Sequence, residues 1–395
     1  MTAPWYIETA EGLAELVRQV RGHAHLAVDT EFVGEDTFVP RLELVQIAAG
    51  DVSAVVDVPA VGSLDVLWDL LRNAAVEKVF HAGRQDLEIF LAHMSIVPGP
   101  FFDTQVAAAM VGYGTQISYT QLVERVVGTR LAKSHTLTNW SHRPLTADQL
   151  AYAVEDVRYL LPVREHLVKR LHTLGRTEWV QEEFSRLAGA IQESAKNPGR
   201  RYERIKGWES LRPQAVAVLR ELVVWRDHEA RRRNVPRGRI IRDEILVELA
   251  RHQPQSVAAL RATRGVNGAE VERSGDAIVA AIAKGLALPK SEWPEAPKPN
   301  KTRAESPGKV EMLQAVLKAR AAELDMAPTL LATAADLQEL VDAAREGSGA
   351  NVPLLHGWRR ELAGEFVLEV LEGRVQVAID RKTGTLRFSP SAEGS

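Results

Sequence analysis

The sequence contains no cysteine. That excludes a disulfide framework, a cysteine nucleophile and any thiolate site for zinc or an iron–sulfur cluster. No stretch approaches 18 uninterrupted apolar residues, so no membrane span is expected. The first residues show no basic segment leading into an apolar core, so no secretion signal is expected and a cytoplasmic location is. Several enzyme signatures are missing as well. Ser306-Pro307-Gly308-Lys309 lacks the earlier glycine and the following Ser/Thr of a phosphate-binding loop. There is no His-Glu-x-x-His zinc helix and no Gly-x-Ser-x-Gly nucleophile turn. Asn139-Trp140-Ser141 is formally a glycosylation sequon, without use in the cytosol.

What is present is ordinary in bulk and uneven along the chain. At roughly 150 residues per domain, a chain of 395 residues predicts two or three domains. Hydrophobic residues at 45% and charged residues at 26% suit a folded chain and exclude wholesale disorder. The net charge of -3 conceals an asymmetry. Residues 1–180 carry 15 Lys and Arg against 22 Asp and Glu, whereas residues 200–242 carry 13 against 5. An acidic body beside a basic segment fits a metal-using half and a phosphate-binding half, and equally a solvated helix of mixed charge.

The first ~180 residues alternate strand-like and helix-like runs. His25 to Phe32, Leu42 to Ala48, Val52 to Val58 and Val76 to His81 read as strands, with a hairpin at Ala49-Gly50-Asp51. Helical patterns start near Asp86 and Thr104. This predicts an α/β domain, a mixed sheet flanked by helices. Thr146-Ala147-Asp148-Gln149 resembles a capping box. The helix behind it should run past Tyr152 and Asp156 and kink at Pro162.

From Leu211 the patterns are helical, and Pro289, Pro294, Pro297, Pro299 and Pro307 mark a linker. Ala230, Pro236, Ile245 and Leu249 match Ala322, Pro328, Leu337 and Val341, as two weakly repeated helical blocks would. Arg374 to Phe388 alternates around Lys382-Thr383-Gly384 and suits a small hairpin ahead of a tail. The expected divisions are residues 1–200, 208–288, a linker over 289–309, 310–372, and a hairpin with tail over 373–395.

Three features carry possible chemistry. In Val28-Asp29-Thr30-Glu31-Phe32 the two acids are two apart on a strand and share a face. Close carboxylates repel unless a cation joins them, and hard cations take such ligands; a solvated strand end is the plain alternative. In His81-Ala82-Gly83-Arg84-Gln85-Asp86 a strand ends in a small-residue turn and Asp86 falls in the next helix's first turn. An acid there also suits the helix dipole, and His81 suits a satisfied strand end. In Tyr152-Ala153-Val154-Glu155-Asp156 the outer two residues share a helix face, as they would on any amphipathic helix.

In their order, these features resemble the three motifs of the DEDD 3′–5′ exonuclease superfamily in its tyrosine subclass. Lys78-Val79-Phe80-His81-Ala82-Gly83 and Trp140-Ser141-His142-Arg143-Pro144-Leu145 resemble the bacterial ribonuclease D family. Leu219 to Leu288 looks like its helicase-and-RNase-D C-terminal (HRDC) module, and Gly357-Trp358-Arg359-Arg360-Glu361-Leu362 like the end of a second one. The resemblance implies a ribonuclease H-like exonuclease fold followed by two all-α HRDC-like domains. It makes Asp29, Glu31, Asp86 and Asp156 the ligands of two divalent ions, Mg²⁺ or Mn²⁺, with Asp29 shared between them. Tyr152 then stands beside the attacking water. The alternative subclass has histidine at the position of Ala151.

The expected activity is metal-dependent 3′–5′ exoribonuclease action, releasing nucleoside 5′-monophosphates from tRNA precursors or other structured RNA. Arg231, Arg232, Arg233, Arg237 and Arg239 are the expected phosphate contacts. RNA is the expected partner; neither a membrane nor an obligate protein partner is. A DNA 3′–5′ exonuclease is one alternative, because the motifs do not read the sugar. A non-catalytic RNA-binding protein is another, and leaves five catalytic-type residues unexplained.

Overall fold

The computed structural model describes residues 5–34, 36–131, 139–294, 308–347 and 349–391. The predicted linker and the Ser306-Pro307 segment fall largely outside these residues.

The N-terminal part is a six-stranded mixed sheet in the order β1-β4-β3-β2-β5-β6. Its strands are β1 (Trp5–Ile7), β2 (His25–Val33), β3 (Arg41–Ala49), β4 (Val52–Asp57), β5 (Glu77–Phe80) and β6 (Phe101–Asp103). β3 runs antiparallel to β2 and β4, and the remaining pairs are parallel. Apolar residues fill the strand centres, from Leu26 to Val28 and, Gln46 apart, from Leu44 to Ala49, because helices cover both faces. The hairpin at Gly50 is present, with Gly50 at φ +55. β1 and β6, three residues each, have no counterpart among the strands predicted from sequence.

The Thr146 capping box forms as predicted and opens helix Ala147–Arg158. The kink expected at Pro162 does not. The helix breaks at Tyr159, and Pro162 lies in the first turn of the next helix, Leu160–Thr173, where no backbone donor is needed. The Tyr119 hydroxyl secures this break, donating to the Glu155 carbonyl at 2.9 Å and accepting from the Tyr159 amide at 3.1 Å.

Two helical modules follow. One contains helices Pro213–Arg233, Arg237–Ile240, Asp243–His252 and Gly268–Ala287. The other repeats its opening order with Lys309–Glu323, Pro328–Leu331 and Ala334–Glu346. The first has its own core, built on Leu219, Leu222, Leu246 and Ile278 and joined by Phe38 from the β2–β3 loop. The second shares the core of the sheet domain through Leu313, Val316, Trp358 and Val367. Trp358 stacks on Trp179 with centroids 5.4 Å apart, and Arg359 forms a buried ion pair with Glu183 at 2.6 Å. β7 (Val375–Ile379) and β8 (Leu386–Pro390) form the C-terminal hairpin, seated by Phe388 edge-on against Phe366.

Candidate active site

β2 projects Asp29 and Glu31 from one face, opposite Gln46 and Leu44 of β3. Helix Ala147–Arg158 crosses that face and brings Asp156 to them. One carboxylate oxygen from each of Asp29, Glu31 and Asp156 lies within 4.8 Å of the others. Asp86 approaches from helix Arg84–Met94 and is buried, but it is held by the Thr30 hydroxyl, which donates to it. Three of the four predicted acids therefore form one cluster, with Asp86 outside it.

The electrostatics match the crowding. Burial, then the charges of Asp86, Asp156 and Glu31, push the Asp29 carboxyl well above its ordinary range. Burial and the charges of Asp156 and Asp86 bring Glu31 to about 8. Burial brings Asp156 to about 7 against the lowering effect of its Tyr152 hydrogen bond, and Asp86 to about 6 against that of Thr30. Acids in such a group bind protons or a cation. An all-oxygen donor set of this charge suits a hard divalent ion such as Mg²⁺ or Mn²⁺ rather than a soft one.

Tyr152, one turn before Asp156, hydrogen-bonds that carboxylate. Burial and the neighbouring charges raise its phenol above the usual range, so the hydroxyl stays protonated at neutral pH. Its ring lies against Trp140, with centroids 6.0 Å apart and planes at 24°. Arg143 anchors the Trp140 loop, donating to the Trp140 carbonyl at 2.6 Å and to both oxygens of Asp57 at the end of β4. Tyr6 donates to the same carboxylate.

Asp103 places Asp86. Its carboxylate accepts the backbone N–H of Ala82 at 3.1 Å and Gly83 at 2.9 Å, and caps the helix that begins at Thr104. Gly83 is required here, since a Cβ would stand 2.5 Å from the Phe80 side chain. His81 is a structural strand-end residue, held between Thr104 Oγ1 at 2.9 Å and the Ile117 carbonyl at 3.1 Å. Asp103, Tyr119 and Asp57 carry no motif signal of their own, whereas Arg143 lies within Trp140–Leu145, a segment that resembles the family.

The basic segment is largely internally paired. Arg232 and Arg233 share Glu229, Arg233 also takes Glu270 with two bonds of 2.8 Å, Arg237 pairs with Asp227, and Arg239 with Asp36. Arg231 is exposed and sits 5.0 Å from the Phe38 ring, with Arg237 at 4.2 Å from the same ring. A cleft of about 780 Å³ separates this module from the sheet domain. Phe32 and Gln85, neighbours in sequence of Glu31 and Asp86, line it together with Arg201, Arg204 and Arg231.

Residues 4–172 match the family model for 3′–5′ exonucleases, and residues 215–282 match that of the HRDC domain. The chain is 41% identical over 377 residues to ribonuclease D of Acidiphilium cryptum, covering 95% of each chain. It is 40% identical over 377 residues to ribonuclease D of Nitrobacter hamburgensis, covering 95% of this chain and 97% of the other. Its structure is similar to that of Escherichia coli RNase D, described as an exoribonuclease involved in structured RNA processing. That similarity has a TM-score of 0.80 at 30% identity and covers 94% of this chain and 99% of the other. The catalytic core of RRP6 from Trypanosoma brucei, at 22% identity and a TM-score of 0.53, shares the fold over 73% of this chain.

Proposed function

The chain belongs to the ribonuclease D family and is a 3′–5′ exoribonuclease, and from that premise we propose that Asp29, Glu31, Asp86, Asp156 and Tyr152 carry its chemistry. The observation behind this reading is the cluster of Asp29, Glu31 and Asp156 within 4.8 Å, one helical turn from Tyr152. Two divalent ions, Mg²⁺ or Mn²⁺, held by the four acids would neutralise the scissile phosphate and acidify water beside it. Asp86 would join that ligand set by releasing Thr30 or acting through water. The protonated Tyr152 hydroxyl is a donor rather than a base, and it orients the attacking water. Hydrolysis at the 3′-terminal phosphodiester then yields a nucleoside 5′-monophosphate and a shortened strand with a 3′-hydroxyl.

The substrate we propose is a tRNA precursor or another structured RNA with a single-stranded 3′ end. The cleft lined by Phe32 and Gln85 would take one strand, with Arg231 on its helical wall and Arg201 and Arg204 between the two domains. The exonuclease domain over residues 1–200 would cut, while the module over 208–288 holds the body of the RNA and that over 310–372 braces the catalytic domain. No helix among the described residues is long and apolar enough to cross a membrane. The deciding experiment incubates the protein with 5′-end-labelled RNA and matched DNA, with Mg²⁺, Mn²⁺ or chelator. Stepwise shortening from the 3′ end, dependent on the ion and faster on RNA, is the expected result. Equal action on DNA would favour a general exonuclease, and activity in chelator would overturn the metal assignment.

A further inference from the structure

Gln46 stands in the middle of β3 with no exposed surface, and neither its Oε1 nor its Nε2 has a hydrogen-bond partner. Among the described residues it is the one buried carboxamide with neither atom paired. Burying an unpaired amide is unfavourable, a cost that methionine or leucine in the same space would not incur. A buried polar group without a partner calls for an explanation in function.

Its position supplies one. Gln46 is the cross-strand partner of Asp29, between that residue and Val55 of β4. Directly opposed residues in an antiparallel pair put their side chains on the same face, with Cβ atoms roughly 4.5–5.5 Å apart. The orphaned amide thus lies under helix Ala147–Arg158, in the row that ends at Asp29. Carboxylates that hold metal ions are themselves fixed by a second layer of hydrogen bonds. Among the described residues the Asp29 carboxylate is held by the Thr30 backbone N–H and by no side-chain donor, whereas Asp86 has the Thr30 hydroxyl and Asp156 has Tyr152.

We propose that Gln46 is a positioning residue for Asp29: its amide N–H donates to the Asp29 carboxylate once the acids hold a divalent cation, fixing that carboxylate's orientation. This rests on the metal reading of the acidic cluster. It gives the orphaned amide a partner in the ion-bound protein only, so the cost of burying it appears in the ion-free protein.

The test uses the full chain with Gln46→Met and, as a second packing solution, Gln46→Leu. Thermal unfolding is followed without ions, and Mn²⁺ binding is measured by calorimetry. Unfolding without ions should be unchanged or shifted upward, because an unpaired amide has been removed. Mn²⁺ affinity should fall about 10- to 100-fold, with the RNA KM little changed. Unaltered Mn²⁺ affinity in a folded variant would overturn the proposal. So would the unfolding of both variants in ion-free buffer, which would show that the amide serves the fold. If the unsubstituted protein itself binds no Mn²⁺, the metal reading fails, an outcome distinct from both.

Discussion

Trp140 lies nearly parallel to Tyr152, 6.0 Å between ring centroids, and the loop that carries it is fastened to Asp57 by the Arg143 guanidinium. The tyrosine ring is thus held from a strand end far from it in sequence. Arg143→Ala should loosen that loop and leave Asp57, 1% exposed, without its cation. A stability loss on the order of 2–4 kcal/mol is expected, with a drop in turnover larger than any rise in KM. Burial would raise Asp57, yet the hydrogen bonds from Arg143 and Tyr6 hold it below its usual value. This contribution is therefore present above the ordinary carboxyl pKa and is lost as the pH falls through the depressed one. Acid unfolding of the variant should accordingly show a smaller dependence at low pH.

Tyr152→Phe keeps the ring against Trp140 and removes only the hydroxyl. Turnover should fall about 100-fold and Mn²⁺ affinity about 10-fold, because Asp156 loses the hydrogen bond that orients it, while RNA affinity stays close to that of the unsubstituted protein. Equilibrium binding beside single-turnover cleavage makes the distinction. A collapse of RNA binding together with turnover would make Tyr152 a stacking or structural residue.

Asp29→Asn or Asp156→Asn should abolish cleavage, by more than about 100-fold, because a charged ligand leaves the site. The fold should persist and the ion-free protein should gain stability, since like charges no longer face one another. Near-normal turnover in saturating Mg²⁺ would defeat the assignment.

Burial of these carboxyls, with repulsion added at Asp29 and Glu31, predicts a pH dependence of unusual sign. Asp29 is raised, Glu31 is raised to about 8 and Asp156 to about 7. Carboxyls raised in the folded state stabilise it through their bound protons. That contribution is full below the unfolded pKa near ~4 and is lost as pH rises through about 7–8. Ion-free protein should therefore melt lower at pH 8.5 than at pH 5.5, and excess Mg²⁺ should close the gap by replacing the protons. Melting curves at the two pH values, with and without Mg²⁺, check both halves.

How much of this was legible in the sequence depends on range. Asp29 and Glu31 on one strand face, and Tyr152 and Asp156 on one helix face, are local periodicities that backbone geometry enforces. Trp5–Ile7 and Phe101–Asp103 are too short to show a period and become strands only by pairing with β4 and β5. The arginines from Arg231 to Arg239 look like a patch because their neighbours in sequence are basic. Much of their partner set, Glu270 and Asp36 among it, lies far along the chain, so the pairing is invisible to a local count. Gln46 is hidden for the opposite reason, as one polar letter in the otherwise apolar run from Leu44 to Ala49, whose meaning depends on what stands across from it.

Truncation after residue 200 tests the division of labour. All five proposed catalytic residues precede the cut, so cleavage of short oligonucleotides should survive. The cut also removes Trp358 from Trp179, Arg359 from Glu183, and the Leu324 carbonyl from Arg176. Each large apolar side chain uncovered costs about 1.5–3 kcal/mol, so the truncated protein should melt well below the full chain. Loss of the first module should flatten the salt dependence of RNA binding, because fewer counterions are released. The flattening should be modest. Arg232, Arg233, Arg237 and Arg239 already face carboxylates, which leaves Arg231 and Arg204 to supply most of the contacts, or a slope change of about 1–2 at ~0.7 per phosphate on a single strand. The loss should be largest on structured RNA, which spans both parts, and least on short strands. An unchanged salt slope would remove the helical wall from the RNA path. A folded truncation without any activity would show that the helical modules shape the site around Asp29 itself.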